Sequence, residues 1–431
     1  MTSDQAREVK PLHELGAAEA VELLRRGEIS SVELVRACLD RIAAEEHRVD
    51  AWEYLDPELA LFQARRADAA SPRRPLAGLP VGVKDIIDTA DMPTGCGTPI
   101  RRGRRPAADA ACVAALRAAG AVILGKTVTT ELALFTPGKT RNPHHAGHTP
   151  GGSSSGSAAA VAASMVPAAL GTQTAGSVIR PASFCGVVGW KPSHGLLPLA
   201  GVSPLAPSLD TLGLFAREVE DLPLLTNALG AALAPVPPLA SPPRVGLCRT
   251  DQWPLATAET RRAVEEAAAK MTAAGAEVRE VELADLAGLA EAQATIMAVE
   301  IARSLAAERR EHEALLSASL RKLIDDGATT SPERHAAAIA RADLARRRFP
   351  EVFAGLDVLL TPSATGEAPA GLESTGDPAF CRIWTLLHAP CVNLPAATGP
   401  QGLPVGIQLV GAPGRDGQLL AAAGWVAARL R

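Results

Sequence analysis

Two amphipathic stretches open the chain. Residues 12–26 read as one helix, and Leu34, Val35, Cys38, Leu39 and Ile42 continue the helical period in a second. Ser30-x-x-Glu33 supplies a capping box for the second helix, with Ile29 and Leu34 spaced as a hydrophobic staple. Then the period changes. Short apolar runs bounded by Pro or Gly read as buried strands: LPVGV before Lys84, AVIL at 121–124, VGLC at 245–248, DVLL at 357–360 and VGIQLV at 405–410. Helical segments such as 108–119 and 260–273 alternate with them. This alternation predicts an α/β fold, a large and mostly parallel mixed β-sheet sandwiched between helices. Residues 284–348 are helical and charged, with no comparable strand, and predict a peripheral layer that shields the sheet or faces a partner. One domain over 1–431 is expected, with an N-terminal helical segment (1–70), a core (71–232) and the peripheral helical region (284–348). The Pro-rich stretch near 232–244 has linker chemistry and is expected to divide two halves of the sheet.

Composition narrows the function classes. The 431 residues carry 43 basic and 47 acidic side chains, a net charge of −4 that leaves no electrostatic footprint for nucleic acid or an anionic membrane. Aromatics are 3%, with Tyr54 the lone tyrosine, which argues against stacking platforms for single-stranded nucleic acid. Seven dispersed cysteines with no CxxC pair suit a reduced, cytoplasmic protein better than a disulfide or zinc framework. The first residues show no apolar signal-peptide core. The longest apolar stretch, 158–170, is broken by Ser164 and Pro167 and is too short to span a bilayer.

One motif misleads. Residues 120–127 (GAVILGKT) match the P-loop string, but a helix precedes Gly120 and the four intervening residues are aliphatic strand formers. A phosphate cradle needs the reverse order, strand before the glycine and helix after the threonine. His144, His145 and His148 crowd one loop, yet no carboxylate or thiolate accompanies them and HExxH is absent, so no metal is expected.

The segment 149–157 (TPGGSSSGS) runs into an Ala/Val helix, and a second turn, Thr174-Ala175-Gly176-Ser177, follows an apolar run. Taken alone, the first segment also suits a flexible linker. A serine at a Gly-flanked turn can expose its hydroxyl beside free backbone N–H groups, as a nucleophile with an oxyanion hole requires. No histidine sits in an obviously suitable setting to serve as base; His194 lies in a later Ser-His-Gly turn. Lys84, emerging from an apolar strand, is the attractive base, because desolvation lowers the pKa of an amine. The competing reading pairs Lys84 with a buried carboxylate.

Lys84 in GVKD, the runs GGSSSGSAAAVAA and GTQTAGSVIRPASFCGVVGWKPS, and the late GLPVGIQLVG together resemble the amidase signature family. The resemblance implies a Ser–cis-Ser–Lys triad. Aligning the paired glycines makes Ser153 the bridging serine, cis to Gly152, Ser177 the nucleophile and Lys84 the base. The amides of Thr174, Ala175, Gly176 and Ser177 are implied as the oxyanion hole. Ser154 and Ser155 would then be decoys or hydrogen-bonding neighbours. The implied activity is hydrolysis of a linear amide C–N bond in a small amide, carbamate or ureide, through an acyl-enzyme and without metal or organic cofactor.

Departures from the family pattern bear on specificity. Gln173 stands where the common turn has Asp, and Ala175 where it has Gly. An arginine comes three residues after the nucleophile, at Arg180, and not two; a similar arrangement occurs in malonamidase-like members. Arg180 could therefore pair with a substrate carboxylate, or alternatively lock the loop to an acidic neighbour. Trp384 and His388 are further candidates for the pocket wall. The expected partner is a small-molecule amide, with no nucleic acid and no membrane, and a homodimer is left open. Two other readings remain: a glutamine amidotransferase A-type subunit that passes ammonia to a partner, and a catalytically silent scaffold of the same fold.

Overall fold

The computed structural model describes residues 10–70, 74–231, 233, 239–283 and 287–430. Eleven strands form one sheet: β1 (Trp52–Leu55), β2 (Pro80–Lys84), β3 (Val122–Thr127), β4 (Ala168–Gln173), β5 (Val188–Lys191), β6 (Thr211–Ala216), β7 (Arg244–Cys248), β8 (Glu277–Val281), β9 (Val358–Pro362), β10 (Cys391–Thr398) and β11 (Pro404–Val410). Their spatial order is β1-β3-β2-β4-β6-β5-β10-β11-β9-β7-β8. Every residue of β2, β3, β4 and β6 is buried, so both faces of the sheet are covered there. That is why these strands read as unbroken apolar runs without alternation. The edge strand β8 is the contrast: it is largely exposed and carries Glu277, Arg279 and Glu280, charges that discourage edge-to-edge pairing.

The sheet is mixed, as expected, but less parallel than the sequence suggests. Four neighbouring pairs are parallel (β2 with β3 and β4, β7 with β8 and β9) and six are antiparallel. Of the strands legible as apolar runs, β2, β3, β7 and β9 all take part in parallel pairs, joined by β4 and β8. The less legible β5, β6 and β10 build the antiparallel middle, and β10 turns directly into β11 through a tight loop around Gly399 and Gly402.

The helices are α1 (Ala17–Arg26), α2 (Ser31–Val49), α3 (Pro57–Asp68), α4 (Ala111–Ala118), α5 (Ser155–Ala162), α6 (Ile179–Cys185), α7 (Asp221–Ala228), α8 (Ala258–Ala273), α9 (Leu289–Ser304), α10 (Ala306–Glu311), α11 (Ala318–Ala328), α12 (Pro332–Arg348), α13 (Ala379–Leu386) and α14 (Asp416–Leu430). The predicted capping box is present: Ser30 accepts from the Glu33 amide, and the Glu33 side chain accepts from the Ser30 amide. Leu34 is buried, and Ile29 is partly buried against the same core. The first predicted helix is shorter than expected, since residues 12–14 form a separate 3-10 turn before α1.

Helix α5 is buried along seven of its eight residues, and its small side chains permit that depth. A Cβ on Gly156 would lie 2.3 Å from the Ala51 carbonyl oxygen and 2.4 Å from the Val128 nitrogen, so glycine alone lets this turn reach the sheet. Residues 284–286 of the expected helical region 284–348 lie outside the described residues; helices α9 to α12 occupy most of the remainder, with α9 packed against α11, α12 and α13. Part of the Pro-rich stretch near 232–244 lies outside the described residues, as do residues 1–9. Among the described residues no helix is long and apolar enough to cross a membrane. All seven cysteines are free thiols buried in the interior.

Candidate active site

Parallel neighbours β2 and β4 end side by side, with Val83 opposite Leu170, and this brings Lys84 to Thr172. The Lys84 Nζ lies 2.7 Å from Ser153 Oγ and 2.9 Å from Thr172 Oγ1, with no exposed surface. Two hydroxyls are poor compensation for a buried ammonium. Burial therefore pulls the amine down to about 7, against smaller opposing pulls from Asp210 and Cys96. The adjacent carboxylate does not rescue it. Asp85 is instead bonded to Lys126 Nζ at 3.1 Å and accepts the Gly95 and Cys96 amides.

Lys126 is the lysine of the P-loop look-alike. It sits in strand β3, fully buried, and donates to the Pro93 carbonyl and Thr94 Oγ1 as well as to Asp85. The three loop histidines are likewise occupied by backbone. His144 Nε2 is 2.9 Å from the Cys185 carbonyl, His148 Nδ1 is 2.7 Å from the Ala368 carbonyl, and His145 Nδ1 accepts the Gly147 amide.

Ser153 follows a cis peptide bond from Gly152. Its serine neighbours are committed elsewhere: Ser154 Oγ bridges the Thr172 amide and carbonyl, Ser155 Oγ contacts the Val128 carbonyl, and Ser157 Oγ donates to the Leu170 carbonyl. Of this run, Ser153 is the one that meets the lysine.

Ser177 lies in the turn between β4 and α6. It is the one partly exposed residue from 171 to 180, and its hydroxyl makes no hydrogen bond among the described residues. Arg180, one helical turn on, joins the two serine turns: its Nη2 donates to the Gly152 carbonyl at 2.7 Å and to Thr375 Oγ1 at 3.0 Å. The expected acidic partner for a locking role is not what it meets; the lock is made to backbone and a hydroxyl. Nε and Nη1 of this buried guanidinium have no partner among the described residues. Burial lowers its pKa to about 10, so it stays charged at neutral pH.

The other two pocket candidates are placed differently. Trp384 is a core side chain with no exposed surface, its ring 5.9 Å from that of Phe349. His388 stacks on His194 at 4.2 Å and holds the Ser208 carbonyl through Nε2, and burial pushes it down to about 4. Helix α13, which carries Trp384 and ends before His388, does reach the turn, but through Cys381, which lies against Gly176, and Thr385, which donates to the Ala175 carbonyl at 2.8 Å.

Sequence reasoning missed several groups here. Thr172 is on the face of β4 shared with Leu170, a period-two signal that was available. Asp210 precedes β6, whose antiparallel pairing sets Thr211 opposite Gln173; Asp210 thus accepts the Thr174 hydroxyl at 2.6 Å and the Leu205 and Ala206 amides. Its carboxyl is pushed up to about 6, chiefly by burial. Gln293 comes from α9, 119 residues away, and donates to the Thr174 carbonyl; nothing local in the sequence announces it.

With this geometry in view, the comparisons decide the family. The Amidase family model matches residues 33–420. The chain belongs to the amidase family. It is 35% identical to the A-type subunit of the glutamyl-tRNA(Gln) amidotransferase of Geobacter sp. (strain M21), over 96% of each chain. A crystal structure of an amidase superposes with a TM-score of 0.90 at 34% identity, covering 97% of this chain and 100% of the other. The 6-aminohexanoate cyclic dimer hydrolase complexed with substrate superposes with a TM-score of 0.87 at 27% identity, covering 97% of each.

The Asp85–Lys126 pair gives the site its first test. Lys126→Met strands a buried carboxylate and should cost about 3 kcal/mol or more in unfolding free energy, read by urea denaturation. Magnesium ATP should leave the wild-type melting temperature unchanged. An unaltered stability in the variant would contradict the ion-pair account.

Proposed function

We propose that the protein cleaves the C–N bond of an amide through an acyl-enzyme on Ser177, with Ser153 and Lys84 relaying the proton. The observation that carries this reading is the buried amine of Lys84, held 2.7 Å from Ser153 Oγ and brought to about 7. Neutral Lys84 takes the proton of Ser153, Ser153 takes that of Ser177, and the freed oxygen attacks the carbonyl carbon. The negative charge that develops on the carbonyl oxygen is received by backbone amides of the 174–177 turn. Return of the proton through the same relay lets the nitrogen leave as an amine or ammonia. Water then adds to the acyl-enzyme and releases the acid. No step calls on a metal or an organic cofactor.

The substrate side rests on Arg180. Two of its guanidinium nitrogens are buried without a partner and belong to a residue one turn from Ser177, which suits recognition of a carboxylate on the substrate. We therefore assign the substrate as a small amide that also carries a carboxylate. Two destinations for the nitrogen follow. In a free-standing amidohydrolase, ammonia is simply released. In an amidotransferase A-type subunit, glutamine is the amide and a partner protein consumes the ammonia. The full-length similarity to amidotransferase chains of that type favours the second destination, and Arg180 suits both, because glutamine itself bears a carboxylate.

Three measurements separate these claims. kcat/KM for amide cleavage should climb about tenfold per pH unit below about 7 and level off above, since only the neutral amine accepts a proton; full activity below pH 5 would contradict Lys84 as base. Arg180→Ala should raise KM at least tenfold for carboxylate-bearing amides and little for neutral ones, and an equal loss on both would remove the carboxylate assignment. Ammonia release from glutamine by the isolated chain, compared across a panel of acidic, aryl and carbamate substrates, distinguishes the destinations. Rapid release from a non-glutamine amide supports the free hydrolase. Turnover of glutamine that requires a partner supports the amidotransferase.

A further inference from the structure

Three consecutive carbonyls of the turn after β4 are held by hydrogen bonds. The Thr174 oxygen accepts from Gln293 Nε2 at 3.0 Å, the Ala175 oxygen from Thr385 Oγ1 at 2.8 Å, and the Gly176 oxygen from the Arg180 amide at 3.0 Å. A trans peptide directs its C=O and N–H to opposite sides. Among the described residues the Gly152–Ser153 bond is the cis one, so the three peptides of this turn are trans. The N–H groups of Ala175, Gly176 and Ser177 consequently point away from the three anchors. None of these amides donates a hydrogen bond within the described residues. Adjacent amides left unpaired and fixed in direction are what a developing oxyanion requires.

Two of the three anchors are side chains, and each has its donor direction fixed by a neighbour. Arg382 Nη1 donates to Gln293 Oε1 at 2.8 Å, which leaves Nε2 as the end of the amide that faces Thr174. Gln173 Nε2 donates to Thr385 Oγ1 at 3.0 Å, which commits the threonine proton to a carbonyl. Ala175 is the nearer acceptor, with Cys381 at 3.2 Å the other. Gln173 Oε1 meanwhile accepts the Val178 and Ile179 amides at the start of α6. A carboxylate at 173 could accept those two amides but could not donate to Thr385.

We propose that Gln293 and Thr385 are positioning residues for the oxyanion hole, each aiming one backbone amide by holding the carbonyl of the same peptide. The proposal rests on the acyl-enzyme reading above. It also gives α9, in the helical region that looked peripheral, a positioning role in the reaction. Without the side-chain donor the peptide unit is free to rotate. The ground-state substrate loses little, whereas the tetrahedral state loses a donor.

The test uses the full chain, with a simple alkyl fluorophosphonate and an amide substrate as probes. In the fluorophosphonate reaction the Ser177 oxygen bonds to phosphorus, fluoride leaves, and the serine proton passes to the relay. The phosphoryl oxygen occupies the oxyanion position. Gln293→Leu and Thr385→Val should each lower kcat and the inactivation rate constant about tenfold or more, with KM within about twofold of wild type. Thr385→Ser, which keeps the donor, should restore both rates. Unchanged rates in Thr385→Val, equal losses in Thr385→Ser and Thr385→Val, or a change confined to KM would overturn the proposal. Should Gln293→Leu fail to fold, the Thr385 pair carries the same comparison. Ser177→Ala retaining full turnover would defeat the acyl-enzyme reading itself, a result distinct from any of these.

Discussion

A lysine with no exposed surface and only two hydroxyls for company is the constraint on which the site depends. Two lysines are buried at neighbouring strand ends, yet their environments differ. Lys126 receives the carboxylate of Asp85, two further acceptors and a structural role. Lys84 receives Ser153 and Thr172, neither of which carries charge. Burial lowers both amines; at Lys126 the Asp85 carboxylate opposes part of that cost, whereas Lys84 has only the weaker pull of Asp210 and Cys96 against it. The protein thus places an amine brought down to about 7 beside a serine, while the Asp85 carboxylate next to it in sequence is engaged by Lys126.

The fold provides this arrangement through mixed strand directions. Parallel β2 and β4 deliver Lys84, Thr172 and the Thr174–Ser177 turn to one end of the sheet, the general location of sites in open α/β sheets. Antiparallel β6 starts where β4 ends, which sets Asp210 beneath Thr174. An all-parallel sheet would send the start of β6 to the opposite end. Small residues complete the approach: Gly156 lets α5 touch the backbone before it, and the Ala-rich remainder of that helix is buried without polar cost.

Local chemistry was readable from the sequence; long-range placement was not. The capping box at Ser30, the strand before Lys84, the strand nature of 122–127 and the serine-bearing turns all have signals within a few residues. The balance of parallel and antiparallel pairs did not, because β5 is only four residues long and β6 and β11 each follow the preceding strand through a loop without a helix between. The pocket candidates show the same divide. Trp384 and His388 were named as pocket-wall candidates from the sequence, but a segment read without its helix and rotation could not say that Trp384 faces Phe349 while Thr385 faces Ala175. Arg180 was legible as an anomaly of spacing. Its bond to the Gly152 carbonyl needed the fold. Gln293 had no signal at all, since a polar residue on a charged helical stretch looks solvated until its contact 119 residues away is known.

Peptide mapping of the protein after reaction with a fluorophosphonate tests the central claim most directly. The account predicts one adduct per chain, on the peptide that contains Ser177, formed faster as pH rises through about 7 and lost on replacement of Lys84 by Ala. An adduct on Ser153, Ser154 or Ser155, or labelling of Ser177 that is indifferent to Lys84, would contradict it.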